Sequence, residues 1–151
     1  MSVYYYAYGS NMDNERISRR IGQQTRRAGA ILNGWALAFN KQAYKNGLPV
    51  PGEGKGNIMP VRDKITEGIL YEVSLDQLKR LAGWEIGYQP VKVKVNLKDG
   101  RIVTATTFVA MEKYIGQSLK PTRDYLKHYW KGCRIISKEY CEMLHKVQTL
   151  D

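Results

Sequence analysis

The chain has 151 residues, of which 43% are hydrophobic, and this predicts a single domain over residues 1–151 with a buried core. It has no apolar run long enough to span a membrane and no signal-like pattern at its N-terminus, so we expect a cytoplasmic protein without a membrane partner. The net charge of +10 raises the question of nucleic acid. The basic residues are scattered, however, and no nucleic-acid-binding motif accompanies them, so we do not expect nucleic acid to be the main partner.

The first predicted strand, Val3–Tyr8, is rich in tyrosine and stops at Gly9. Gly9 can adopt positive φ, and Ser10 and Asn11 can bond their own backbone in a tight turn. Asp13 is a suitable N-cap for the helix that follows. A strand, a sharp loop and a helix N-terminus with unpaired N–H groups can hold an anion such as a substrate carboxylate. The alternative interpretation is an ordinary strand–turn–helix junction.

The middle of the chain is rich in turn residues. Arg27–Asn40 is predicted to form one or two strands, with Asn33-Gly34 as a hairpin turn. Gln42–Gly56 contains several glycines and prolines and is predicted to be a long loop, suited to a lid or rim. Further strands are predicted at Asn57–Val61, Thr66–Val73, Val91–Leu97 and Ile102–Val109, with turns at Asp63-Lys64 and Asp99-Gly100.

Three more helix signals follow. Ser74 with Gln77 forms a capping-box pattern for a helix that ends near Gly83. Pro121 suits the first turn of the next helix, and Ser137 is an N-cap for the last one. Hairpins with inserted helices predict a mixed α+β fold with a curved sheet.

Glu85 is the most informative ionisable residue. It lies just past the helix that is predicted to end near Gly83, and its neighbours in sequence include Trp84, Ile86 and Tyr88. A carboxylate held among such groups is desolvated and has a raised pKa, which suits proton exchange near neutral pH. The alternative is a surface glutamate in a turn with apolar neighbours.

The cysteines and histidines predict no metal site. Cys133 and Cys141 are too few for a disulfide scaffold, and we expect them to be reduced. Cys141 and His145 are spaced to share a metal on one helix, but a site needs a third ligand, and no other residue has suitable spacing. We interpret them as a core cysteine and a surface histidine. His128 has no partner signature for nucleophilic catalysis.

These pieces resemble the γ-glutamylcyclotransferase-like family, which includes AIG2-like proteins. The resemblance covers Val3 to about Gly132 and rests on four ordered motifs. They are Tyr8-Gly9-Ser10-Asn11-Met12 after the first strand; Asn57-Ile58-Met59-Pro60 with Gly68-Ile69-Leu70-Tyr71-Glu72-Val73; Leu81, Glu85 and Tyr88 before the valine-rich strand; and Pro121-Thr122 with Tyr125 and Gly132.

The resemblance implies a γ-glutamylcyclotransferase-like fold, a curved mixed β-sheet or small barrel with flanking helices. It also implies a small γ-glutamyl substrate and a reaction without a cofactor, in which the γ-glutamyl group closes to 5-oxoproline and an amine or amino acid leaves. Glu85 would be the general acid and base. The backbone N–H groups of Gly9, Ser10 and Asn11 would hold the glutamyl carboxylate. A further set of pocket residues would line the site or donate hydrogen bonds: Tyr8, Tyr88 and Tyr125.

Two other hypotheses stay open. The chain departs from the family pattern at Ala82, where Asp is common, and its net charge is strongly positive. These two features leave room for a non-catalytic binding protein that keeps the fold and the pocket, or for an RNA-associated protein that uses its basic surface. A third hypothesis is an enzyme for larger γ-glutamyl conjugates, with Gln42–Gly56 as a specificity lid. The sequence identifies neither the leaving amine nor an oligomeric state.

Overall fold

A computed structural model describes residues 2–151 of the chain. In this range there are five strands and four α-helices, with 3₁₀ turns at Ser10–Met12 and Glu112–Tyr114. In chain order they are β1 (Ser2–Ala7), α1 (Asn14–Ile21), β2 (Arg26–Lys45), β3 (Leu48–Ser74), α2 (Leu75–Trp84), β4 (Tyr88–Leu97), β5 (Ile102–Ala110), α3 (Arg123–Trp130) and α4 (Lys138–His145).

The five strands close into a barrel in the order β1-β3-β2-β4-β5. Neighbouring strands are antiparallel except β1 and β5, which are parallel and meet where Tyr5 pairs with Thr106. The sheet is therefore mixed, and the helices lie outside it. The α+β class and the small barrel with flanking helices are confirmed.

The predicted loop over Gln42–Gly56 is wrong. β2 continues to Lys45 and β3 begins at Leu48, so most of this segment is a hairpin. Asn46 and Gly47 form its turn with φ values of 53° and 78°, the left-handed pair that suits a two-residue hairpin. Apart from Gly47, the glycines and prolines that indicated a loop lie in β3, whose register with β2 shifts repeatedly.

Asn33-Gly34 and Asp63-Lys64 are not turns, as the sequence had suggested. β2 and β3 run through both, and the register shifts between Asn33, paired with Ile65, and Trp35, paired with Pro60. Gly34 and Asp63 have φ values of 84° and 65°. The two segments therefore form one irregularity, a bulge that bends the long hairpin. Residues that favour positive φ serve a bulge as well as a turn.

Alternate residues of β1 face two separate parts of the core. Tyr6 of β1 and Tyr8, which directly follows the strand, pack with side chains from the other strands, in a cluster without helical residues that fills the barrel. Tyr5 and Ala7 point the other way and pack against the helices. This second cluster binds the helices to the outside of the barrel through fully buried side chains from each of them: Ile17, Leu81, Leu126 and Leu144.

The local helix signals are confirmed with small shifts. Ser74 and Gln77 make both hydrogen bonds of the capping box, and α2 ends at Trp84, one residue beyond Gly83. Thr122 caps α3, so Pro121 immediately precedes the cap instead of lying in the first turn of the helix. Ser137 caps α4. None of the helices in residues 2–151 has the length and hydropathy needed to cross a bilayer. The cytoplasmic location stays a prediction.

Candidate active site

The loop after β1 turns sharply because a 3₁₀ turn leads directly into α1. The Asp13 carboxylate accepts a hydrogen bond from the N–H of Glu15 and caps α1, as predicted. Gly9 has a φ of −125°, so the positive φ expected from sequence is not used. Space explains the glycine instead, since a Cβ here would lie 3.0 Å from the hydroxyl of Tyr129.

Three successive N–H groups of this loop are free to bind a ligand. The N–H groups of Gly9, Ser10 and Asn11 have no acceptor within residues 2–151, and all three residues line the same pocket. Consecutive unpaired N–H groups form a concave site for an anion, which is the role that the sequence suggested for this loop.

Glu85 reaches this loop from the end of α2. The capping box at Ser74 sets where α2 begins, and Glu85 closes the helix by donating its N–H to the carbonyls of Leu81 and Ala82. Its Oε1 accepts a hydrogen bond of 3.0 Å from Nδ2 of Asn11. The expected acid and the expected anion-binding loop therefore meet.

Asn11 is buried, with 3% of its surface exposed, and it makes hydrogen bonds to several parts of the fold. Its Nδ2 also donates to the Tyr5 hydroxyl at 3.0 Å, while its Oδ1 accepts from Nη1 of Arg20 at 3.4 Å. Its backbone carbonyl accepts from the Tyr71 hydroxyl at 2.8 Å. These bonds fix the side chain so that an N–H points at Glu85.

Burial raises the pKa of Glu85 above its ordinary value of 4.5. The positive charge of Arg20, the hydrogen bond from Asn11 and the charges of Arg16 and Lys41 offset part of this rise. A carboxylate with a raised pKa is a stronger base, and this one remains beside a hydrogen-bond donor that favours its charged form.

Tyrosine hydroxyls and a strand backbone form the opposite wall. Tyr125 accepts a hydrogen bond of 2.9 Å from the N–H of Gly56, and its hydroxyl lies 3.2 Å from that of Tyr129. The Tyr88 hydroxyl donates to the carbonyl of Gly56 at 2.7 Å, and the Tyr8 hydroxyl to that of Phe108 at 2.6 Å. In this arrangement Tyr88 does not donate into the pocket as the resemblance had implied. Burial raises the pKa of Tyr125, so its hydroxyl stays protonated at neutral pH.

The structure brings all of the sequence-predicted site residues to one small cleft. They are Tyr8, Gly9, Ser10, Asn11, Glu85, Tyr88 and Tyr125. Sequence reasoning missed four other lining residues: Tyr5, Gly56, Phe108 and Tyr129. Tyr129 lies one helical turn after Tyr125, a spacing that could have identified it. Gly56 was missed because it lies in the segment that the sequence had predicted to be a loop.

His128 also has a partner that sequence did not reveal. Its Nδ1 lies 2.8 Å from the Asp13 carboxylate, and its Nε2 lies 3.2 Å from Nη1 of Arg16. Because a guanidinium can only donate, Nε2 accepts from Arg16 and Nδ1 donates to Asp13. Burial alone would raise the pKa of Asp13, but the hydrogen bond from His128, the backbone hydrogen bond from Arg16 and nearby positive charge together outweigh it, so the pKa is lowered.

The expectation of reduced cysteines is wrong. Cys133 and Cys141 form a disulfide, because the turn between α3 and α4 brings their Cα atoms to 5.4 Å. Cys133 also provides the third candidate ligand that spacing had not supplied, since its sulfur lies within 4.8 Å of the ligand atoms of Cys141 and His145. Both sulfurs are bonded to each other, however, and are not free to bind a metal. His145 is exposed, as expected, and stacks on Trp130 with ring centroids 4.7 Å apart.

Comparisons with known proteins relate the chain to one family and one fold. The model of the AIG2-like family matches residues 66–144, just over half of the chain. A solved gamma-glutamyl cyclotransferase structure is 25% identical, covers 100% of this chain and 90% of its own, and superposes with a TM-score of 0.83. An uncharacterized human protein is also 25% identical, over 99% of this chain and 90% of its own, with a TM-score of 0.80.

A more distant structure shares the fold alone. The yeast gamma-glutamyl cyclotransferase specific to glutathione is 16% identical, over 95% of this chain and 93% of its own, with a TM-score of 0.71. No curated protein sequence matches the chain.

Proposed function

The chain belongs to the AIG2-like family, and we propose that it is a γ-glutamylcyclotransferase-like enzyme that converts a γ-glutamyl amide to 5-oxoproline and a free amine. The observation that carries the proposal is the 3.0 Å hydrogen bond from Asn11 to Glu85, which joins an anion-binding loop to a proton-transferring carboxylate in one cleft.

The glutamyl α-carboxylate is bound first. The unpaired N–H groups of Gly9, Ser10 and Asn11 hold it, and this fixes the end of the substrate that carries the α-amine. The nucleophile is already part of the substrate, so the site must mainly select the folded conformer in which the amine faces its own γ-carbonyl. This requirement suits a small cleft lined by rigid aromatic side chains.

Glu85 then moves the proton that the reaction requires. The α-ammonium first loses one proton to solvent, so that the free amine is the nucleophile. Its nitrogen forms a bond to the γ-carbonyl carbon as the C=O electron pair moves onto the oxygen, and Glu85 accepts a second proton from this nitrogen. The oxygen pair then restores the carbonyl, and the bond from carbon to the leaving nitrogen breaks as Glu85 gives its proton to that nitrogen. The released amine regains a proton from solvent, so protons and electron pairs balance. The protonated hydroxyl of Tyr125 is the candidate donor to the oxygen that becomes negative.

The test is release of 5-oxoproline from a panel of γ-glutamyl amides and dipeptides by wild-type protein and by Glu85→Gln. Glu142→Gln is the matched control, since it makes the same change at an exposed carboxylate on α4. We expect Glu85→Gln to lose about a hundredfold to ten-thousandfold in kcat, the usual contribution of a general acid–base. A folded Glu85→Gln protein with full activity would remove Glu85 from this role.

The panel also separates this function from a binding protein of the same fold. If wild-type protein releases no 5-oxoproline from any compound, yet retains affinity for RNA at moderate salt, the binding hypothesis is favoured. Purely electrostatic contact with RNA fades steeply as salt rises.

A further inference from the structure

A second cleft opens beside the candidate active site and is strongly basic. Its lining includes four cationic side chains, Arg16, Arg20, Lys41 and Lys55, which we call the basic groove. The groove and the active-site cleft share four residues as a common wall: Ser10, Glu85, Tyr88 and Tyr125. Anything bound at Glu85 can therefore extend into the basic groove.

The four charges come from two separate parts of the fold. Arg16 and Arg20 lie one turn apart on α1 and project from the same side of the helix. Lys41 and Lys55 face each other across β2 and β3 as a directly paired couple. Like charges directly opposite on neighbouring strands are destabilising, and two more lie nearby. The fold thus concentrates positive charge at a cost to its own stability.

Little negative charge within the protein compensates for this. Within residues 2–151, no carboxylate lies within ion-pair distance of Arg16, Arg20 or Lys41. Lys55 has Glu53 at 3.6 Å. Asp13 also lies near Arg16, but its carboxylate is already hydrogen-bonded to His128, and the other nearby carboxylate, Glu85, carries a proton in the proposed reaction.

Lys41 is the most unusual of the four because only 8% of its surface is exposed. Its Nζ lies over the rings of Tyr88 and Tyr114, 5.4 Å and 5.6 Å from their centroids. Burial, reinforced by the charge of Lys55, lowers the pKa of Lys41. Burial also lowers the pKa of Lys55, and the charges of Arg16 and Arg20 contribute. An anion in the groove relieves this repulsion.

The Arg16 side chain is held by one hydrogen bond, but another of its N–H donors has no acceptor. Its Nη1 donates to His128, which is itself held by Asp13. Its buried Nε has no hydrogen-bond partner among residues 2–151. A buried N–H without an acceptor is costly, so Arg16, which lines the groove, retains an unused hydrogen-bond donor.

We propose that the basic groove binds the leaving group of the substrate, and that this leaving group is acidic, with at least two anionic groups. This inference rests on the proposed cyclotransferase function. The glutamyl carboxylate occupies the N–H groups on one side of Glu85, so the charges on the other side face the part of the substrate beyond the scissile bond. The substrate class is then a γ-glutamyl conjugate of a dicarboxylate or of a more acidic oligomer.

The test compares three substrates of wild-type protein by 5-oxoproline release. γ-Glutamylglutamate and γ-glutamylglutamine have leaving groups of almost equal size that differ by one charge, and γ-glutamylmethylamide has no anionic leaving group. We expect kcat/KM to fall by about tenfold at each loss of charge, as befits hydrogen bonds to a charged group. The differences should shrink at high salt, which screens the partly exposed charges.

Substitutions of the groove lysines test whether the groove causes the preference for an acidic leaving group. Lys41→Met and Lys55→Met each remove one charge and retain most of the apolar stem, and each should lower the ratio of kcat/KM for γ-glutamylglutamate over γ-glutamylglutamine towards one. Lys64→Met is the matched control, because Lys64 is exposed and does not line the groove, and it should leave the ratio unchanged.

The outcomes separate this inference from the function on which it depends. No release from any of the three substrates overturns the proposed function. Release from all three at equal efficiency supports the function and overturns the acidic leaving group. A third outcome is equal kcat/KM for the three substrates together with a loss of RNA affinity in Lys41→Met and Lys55→Met. This result would show that the groove contacts the phosphates of a nucleic acid instead.

Discussion

Nδ2 of Asn11 lies 3.0 Å from Oε1 of Glu85, although the two residues are 74 positions apart in the chain. The same amide group holds the Tyr5 hydroxyl. One buried side chain therefore sets both the shape of the loop and the electrostatic environment of the carboxylate. Activity and its pH dependence should both respond to this contact.

The pH dependence of the proposed reaction should reflect the raised pKa of Glu85. The base form is lost as pH falls through that pKa, so kcat/KM should decline on the acid side at a pH above the ordinary 4.5 of glutamate. Asn11→Asp places a second carboxylate beside Glu85, and repulsion should move this decline upward by about one pH unit or more.

Asn96→Asp is the matched control, because Asn96 accepts a hydrogen bond from Asn33 and an aspartate can do the same. Its pH–rate profile should overlay that of wild-type protein. An acid limb that stays in place in Asn11→Asp would show that the titrating group is not Glu85.

The raised pKa of Glu85 also predicts a pH-dependent stability effect. Ionised Glu85 is less favourable in the folded state than in the unfolded state, so the penalty appears as pH rises from the unfolded pKa through the folded one. Glu85→Gln, whose amide oxygen can still accept from Asn11, should therefore be more stable than wild-type protein at pH 7. The difference should vanish below about pH 4, where both states of the wild type are protonated. Urea unfolding at several pH values measures it, and a constant difference would contradict the assignment.

Gly56 should be intolerant of any side chain. A Cβ there would collide with the hydroxyl of Tyr129 and lie 3.2 Å from that of Tyr125. Gly56→Ala should displace this wall, costing about 1–3 kcal/mol of stability and about a hundredfold in kcat. Thermal unfolding and 5-oxoproline release measure the two effects.

Gly83→Ala provides the contrast to Gly56→Ala. Gly83 lies in α2, and a Cβ there meets no atom within 4 Å. The substitution should stabilise the protein by about 0.5–1 kcal/mol, the helix propensity difference, and leave kcat unchanged. If both variants behave alike, the close packing around Gly56 does not matter for the site.

The disulfide should stabilise the protein without affecting the reaction. Cys133 and Cys141 close a short loop that includes the start of α4, away from the cleft. Replacing both with serine should cost about 2–3 kcal/mol, mainly through the greater freedom of the unfolded chain. Wild-type protein treated with reductant should show the same lowered Tm, whereas the double variant should not respond to reductant. Equal Tm values with and without reductant would show that the bond contributes nothing.

The sequence-based predictions that depend on interactions between near neighbours in the chain are confirmed, whereas a prediction that depends on strand pairing is wrong. The capping box of Ser74 and Gln77, the cap at Asp13 and the turn at Asp99-Gly100 depend on residues within a few positions of each other. Such signals are confirmed. Asn33-Gly34 misled because residues that accept positive φ serve bulges and turns equally, and only strand pairing distinguishes the two.

The sequence by itself determined the strand–turn–helix pattern around Gly9, the helix that ends just before Glu85, and a resemblance that selected the site residues. Only the tertiary structure decided that Asn11 contacts Glu85, that Gly56 and Tyr129 complete the cleft, that two cysteines meet, and that four cations share one groove. The physical reason is that hydrogen bonding within a turn depends on neighbours in the chain. Barrel closure and side-chain burial instead depend on contacts between distant segments, which no local pattern encodes.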